Sequence, residues 1–217
     1  MNKAVHKAGA SLLSALGAAL ALSACQTVTS EDPVALEARS RAALHAGEIN
    51  RSLRLTEILI ARRGPTPSSL NQMALIRSRA GNPGAARRIL LHAHSLYPRS
   101  APITMNLAKL EVSRGEMATA RGTLLPLLSR KTWPRGFRLL MGRVDIETGH
   151  LHEASLFLHE ALRRHPDDPL VLANMGLLSE RLGETMIAHR DLLKARSLAP
   201  HGAMREHIVA LLRSITP

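Results

Sequence analysis

Between Pro169 and Gly183 the apolar residues Leu170, Val171, Leu172, Met175, Leu177, Leu178 and Leu182 fall at helical spacing, with polar Asn174, Glu180 and Arg181 between them. Gly183 ends that helix, because glycine takes the left-handed conformation without steric cost. A second helix is predicted from about Glu184 to Leu198, with Ile187, Leu192, Leu193 and Ala195 facing inward. Pro200 stops it, since proline has no amide hydrogen and clashes with the preceding turn. The pattern predicts a helical hairpin.

The same marks recur along the chain. Gly47, Gly81, Gly115, Gly149 and Gly183 lie 34 residues apart. Ser40, Ala74, Ala108, Gly142 and Gly176 keep the same phase, and so do Ser52, Ala86, Ala120, Ala154 and Ala188. Leu59, Ala93, Leu127, Ala161 and Ala195 form a further series, and Pro98, Pro166 and Pro200 mark unit ends. A fixed period of this length signals stacked helical units rather than one globular core. Small side chains at Gly176, Ala188 and Ala195 let two helix axes approach, where larger ones overpack the contact.

A 34-residue helix–turn–helix with small residues at its eighth, 20th and 27th positions and proline at its 32nd resembles the tetratricopeptide repeat. The resemblance implies an all-α, right-handed superhelical solenoid of about five hairpins. Their expected limits are 33–66, 67–100, 101–134, 135–168 and 169–202, with a capping helix in 203–217. The match is strongest over 135–202 and weakest in 33–66. In 101–134, Pro126 is expected to kink or shorten the second helix. The aromatic residues common in the family are scarce, with one Trp, one Tyr and two Phe in 217 residues; Leu and Met stand in their places.

The first 24 residues read as a signal rather than as fold. Lys3, His6 and Lys7 precede an uncharged Ala/Leu-rich stretch from Ala8 to Leu22, too short for a membrane span. Leu22, Ser23, Ala24 and Cys25 resemble a bacterial lipobox, which implies cleavage before Cys25 and lipidation of its thiol and new amine. Several acyl chains anchor a protein stably where one does not. Gln26 follows, not the aspartate that retains such lipoproteins at the inner membrane, so the resemblance implies the periplasmic face of an outer membrane. Residues 25–32 then serve as a tether, about 25 Å long at full extension.

Without residues 1–24 the chain keeps 27 basic side chains against 17 acidic. That balance points to an acidic protein, an anionic surface or nucleic acid. Nucleic acid is disfavoured by the near absence of stacking aromatics and of any base-reading motif. Eleven histidines raise the question of metal. His92 and His94, like His150 and His152, stand two apart and point to different helix faces. His159, Glu160 and His165 do not have the spacing of zinc proteases. No nucleophile–base pair or phosphate loop is visible. The expectation is a protein without catalysis, metal, cofactor or small-molecule substrate.

By the family's phase, the first helix of each unit lines a concave groove. The groove positions are Asn71, Leu75 and Arg79; Met105, Asn106 and Lys109; Leu139 and Arg143; and Ala173, Asn174 and Leu177. Their mixture of apolar, amide and cationic groups suits a bound peptide or amphipathic helix. The carboxylate clamp of chaperone-binding relatives is missing, with Leu75, Gly136 and Leu140 at its positions. Size, anchor and repeats resemble the tetratricopeptide lipoproteins of tight-adherence (Flp-type) pilus assembly, and next the pilotins. The alternative is a periplasmic accessory of envelope polysaccharide or cell-wall synthesis.

Overall fold

A computed structural model describes residues 32–215, and Cys25 with the signal and most of the tether lies outside them. The described residues form eleven α-helices and one 3-10 helix. The described residues divide into two compact units, with the boundary between Ala80 and Gly81.

The first unit contains α1 (Pro33–His45), α2 (Ile49–Arg63) and α3 (Pro67–Arg79). Asp32 caps α1 by accepting the Val34 N–H at 3.2 Å, and Thr66 forms a capping box with Ser69 on α3. Pro33 and Pro67 occupy the first turns, where no amide partner is needed. Where α1 crosses α2 the small residues are serines, and their hydroxyls bond across the contact. Ser52 Oγ donates to the Ser40 carbonyl at 2.8 Å, and Ser40 Oγ lies 2.7 Å from Thr56 Oγ1. Gln72 of α3 completes this buried cluster by donating to Ser40 Oγ at 3.3 Å. The polar atoms are buried but paired with one another.

The second unit contains α4 (Pro83–Leu96), α5 (Ala101–Ser113), α6 (Met117–Leu124), the 3-10 helix Leu125–Ser129, α7 (Phe137–Glu147), α8 (Leu151–Arg164), α9 (Pro169–Arg181), α10 (Thr185–Leu198) and α11 (Ala203–Ser214). Three hairpins, α5–α6, α7–α8 and α9–α10, turn at Gly115, Gly149 and Gly183, whose φ angles are 78°, 81° and 80°. Pro126 shortens α6, which gives way to the 3-10 turn at Leu125. The helices of each hairpin meet at small residues. A methyl group placed on Gly142 would lie 2.7 Å from Leu158 Cγ, and one on Gly176 would lie 2.7 Å from Leu192 Cγ and 3.1 Å from the Ala188 carbonyl oxygen. Ala154, Ala161, Ala188 and Ala195 are buried along the same seams.

Between successive hairpins the contact includes buried acids. Asp145 of α7 is fully buried and accepts from Arg121 Nε of α6 at 2.8 Å. One period earlier, buried Glu111 of α5 accepts from Thr123 and is attracted by Arg87 of α4. Glu111 and Asp145 stand 34 residues apart, as do Arg87 and Arg121, but Arg87 pairs with Glu116 rather than with Glu111. Burial pushes the carboxyls of Glu111 and Asp145 above their ordinary values, and the Thr123 hydroxyl with Arg87 at Glu111, and Arg121 at Asp145, offset this only in part.

α9 sits deepest, with every residue from Val171 to Ser179 buried. α7, α8 and α10 pack around it. The last helix, α11, adds Ile208 and Leu211 to a core that includes Leu172, Ala173, Leu192 and Ala195. Leu211 also reaches the cluster of Ile146, Leu158, Met175, Leu177 and Leu178.

Gly142→Ala should destabilise the protein by about 1–3 kcal/mol, since Leu158 must move off its rotamer or the helices must separate. Gly122→Ala in α6, where an added methyl meets nothing within 4 Å, should instead stabilise by about 0.5–1 kcal/mol. Urea midpoints of the two variants check both signs. The burial of Asp145 gives a pH signature. Its carboxyl binds a proton more readily folded than unfolded, so its charge costs stability at neutral pH. That cost is relieved as pH falls through the raised value toward the ordinary 3.8. The stability of the native chain relative to Asp145→Asn should therefore rise on acidification from pH 7, and parallel profiles would contradict this.

Candidate protein-binding surface

The positions expected to line a groove form two series with the 34-residue spacing, Asn71, Met105, Leu139 and Ala173, and Leu75, Lys109, Arg143 and Leu177, with Arg79, Asn106 and Asn174 outside them, and the structure opens only part of the set. In the first unit, Asn71 and Leu75 of α3 are half-buried. Arg79, exposed at the end of α3, donates to the Leu44 carbonyl at 2.6 Å and so clasps α1. In the second unit, Lys109 of α5 is exposed, and Asn106, Leu139 and Arg143 are half-buried. These are the open members of the set.

Four members, Met105, Ala173, Asn174 and Leu177, are closed, and this corrects the expectation for them. Met105 is 4 % exposed, within the core of Ala101, Ala108, Leu124, Phe137 and Met141. Asn174 and Leu177, with Ala173 beside them, are buried because α11 and the neighbouring helices cover α9. Asn174 spends its amide on the Leu170 carbonyl at 2.7 Å, one turn back on its own helix. The phase placed these residues on the first helix of a unit. It carried no information on how tightly the next element would cover that helix.

The open part is cationic and partly self-paired. Glu147 lies 3.4 Å from Arg143 and 3.2 Å from Arg181, which stand at successive hairpins. Both contacts are solvent-accessible and contribute little to stability. Lys109, one period before Arg143, is exposed and has no carboxylate partner among the described residues. The face thus offers a lysine ammonium and the apolar edge of Leu139 to a ligand, beside half-buried Asn106. Among the described residues no three His, Cys, Asp or Glu side chains are grouped to hold a metal ion. Nor is any described helix long and apolar enough to cross a membrane. Of the histidines, His150 Nδ1 lies 3.0 Å from Thr148 Oγ1, and His159 Nδ1 lies 2.8 Å from the Ser155 carbonyl.

What the sequence reading missed is an aromatic and basic cleft where α6 gives way to α7. Trp133, Phe137 and Phe157 converge there, three of the four aromatic side chains in the chain. The signal was present but unweighted. Thr132 breaks the proline series, and Pro126 and Pro134 bracket the break.

No protein-family profile and no curated protein matches the chain by sequence. Solved structures do match. PilW, described as a widely conserved type IV pilus biogenesis factor, superposes with a TM-score of 0.69 at 16% identity, over 83% of this chain and 86% of its own. PilF of Pseudomonas aeruginosa gives 0.68 at 14% identity, over 84% and 83%. A tetratricopeptide repeat protein from Parabacteroides merdae gives 0.56 at 18%, over 85% and 71%. The fold is the tetratricopeptide-repeat fold. Identities this low speak for the fold alone.

Proposed function

We propose that the chain is a non-catalytic scaffold, anchored through a lipidated Cys25 to the periplasmic face of the outer membrane. There it binds protein partners during assembly of a pilus or secretion apparatus, of the tight-adherence (Flp) type or in a pilotin-like role. The observation that carries the binding part is the open cationic and amide row of Asn106, Lys109 and Arg143 on successive first helices. Such a row meets an extended or helical segment of a partner at regular intervals. The similarity in fold to PilW, a pilus biogenesis factor, supports the choice of process. The anchor rests on Leu22, Ser23, Ala24 and Cys25 in the sequence.

In-cell photocrosslinking from a probe at position 109, followed by identification of the adducts, tests the reading. Adducts to pilus or secretion-ring components, lost in Arg143→Glu, are the expected result. Adducts confined to enzymes of polysaccharide or cell-wall synthesis would replace this function with the alternative. The anchor has its own test: Cys25→Ala should leave an unprocessed precursor and abolish outer-membrane fractionation. Continued sedimentation of that variant with outer membrane after a high-salt wash would refute lipidation.

A further inference from the structure

The cleft beside α7 differs in chemistry and position from the first-helix row. Pro126 ends α6 early, and the chain from Arg130 to Gly136 runs as a loop before α7 begins. That loop turns Trp133 back, and its indole N–H donates to the Leu128 carbonyl at 3.5 Å. Phe137 and Phe157 brace the ring at centroid distances of 5.3 and 5.5 Å, with tilted and edge-on geometries. The Arg138 guanidinium lies 4.7 Å from the ring centroid. The indole is thus fixed as a platform that is only half-buried.

Two adjoining hollows of about 380 and 330 Å³ share Trp133, Arg138 and Arg164. The larger also takes in Leu139, Ala161 and Val171, which give it an apolar part beside Arg135, Arg138, Arg164, His165 and Asp168. Two carboxylates border the hollows, and both are already engaged. Glu160 is held by Arg138 at 2.7 Å and Arg164 at 3.2 Å. Asp168 Oδ1 accepts the Leu170 N–H at 2.8 Å as the cap of α9. On the open rim, Arg130, Lys131 and Arg135 are exposed, and no carboxylate among the described residues pairs with Lys131 or Arg135. The rim therefore carries uncompensated positive charge around an aromatic and apolar floor.

We infer that this cleft binds an extended acidic peptide segment, with a proline or aromatic side chain stacked on Trp133 and flanking carboxylates on Lys131 and Arg135. Both halves of the geometry select for it. The hollows are of side-chain size, and their floor of Trp133, Leu139 and Val171 buries an apolar group. The rim cations complement carboxylates on either side of that group. A uniformly charged polymer would leave the apolar floor unfilled. The inference is independent of the first-helix row, because none of Asn106, Lys109 and Arg143 lines the cleft.

Trp133 is the only tryptophan, so the emission of the full chain reports on this site directly. The probe is a blocked hexapeptide, Glu-Glu-Pro-Phe-Glu-Glu, titrated at low salt. Expected is a saturable shift in emission that weakens as sodium chloride is raised. The double variant Lys131→Glu, Arg135→Glu should bind at least tenfold more weakly while keeping the circular dichroism of the native chain. A peptide with Lys in place of every Glu should give no shift. No saturable shift with the acidic peptide, or equal affinity in the double variant, would overturn the inference. So would inorganic polyphosphate producing the same saturable shift as the peptide, which would assign the cleft to an anionic polymer instead.

Discussion

The close approach of two helix axes at small residues is the constraint on which the rest of this structure depends. Gly142 against Leu158 and Gly176 against Leu192 leave no room for even one more carbon. That proximity buries Leu158 of α8 and Leu192 of α10 in the gap over the partner helix, and it sets where the hairpin turn must come. Glycine at the turn then reverses the chain, as the φ of 81° at Gly149 shows. The 34-residue period is the sequence trace of this geometry. Each unit repeats the same contact because no single hairpin has enough apolar area to fold alone.

The same seam is built with different chemistry where the environment differs. In the first hairpin, Ser40 and Ser52 replace alanine or glycine, and the short distance lets each hydroxyl bond the other residue's backbone. Further along, Arg121 and Asp145 join one hairpin to the next through a buried pair, whereas in the preceding period Arg87 pairs with Glu116 and attracts Glu111 only at a distance. A buried ion pair is weak as a source of stability, but it penalises a slip in register that would leave the acid unpartnered. Toward the C-terminus α11 replaces such polar contacts with Ile208, Leu211 and Leu212, and α9 is sealed as a result.

Much of the fold was legible because period is an internal property of the chain. The glycine turns, the small residues at the crossings, the early end of α6 at Pro126 and the final helix all follow from local rules applied in phase. The candidate surface was legible only in part. Phase fixes which helix a residue belongs to, and it placed Lys109 and Arg143 where they are open. It does not fix how far a neighbour covers that helix, so Met105, Asn174 and Leu177 are core rather than surface. Trp133 went unread for the opposite reason: it lies where the period breaks, in the loop 130–136, and a reading built on repetition discounts its own exceptions. The buried Glu111 and Asp145 are a further case, since a carboxylate on a helix reads as solvated until its burial is known.

Contact between small and large side chains across a hairpin sets the spacing of its helices. A double-mutant cycle on Gly176→Ala and Leu192→Ala tests it most directly, by equilibrium denaturation of the two single variants and the double. Shortening Leu192 removes the nearest atom that the new methyl group would strike and leaves the milder contact with the Ala188 carbonyl oxygen at 3.1 Å. The double variant should therefore be more stable than the sum of the single effects, by about 1 kcal/mol or more. Additive effects would contradict it.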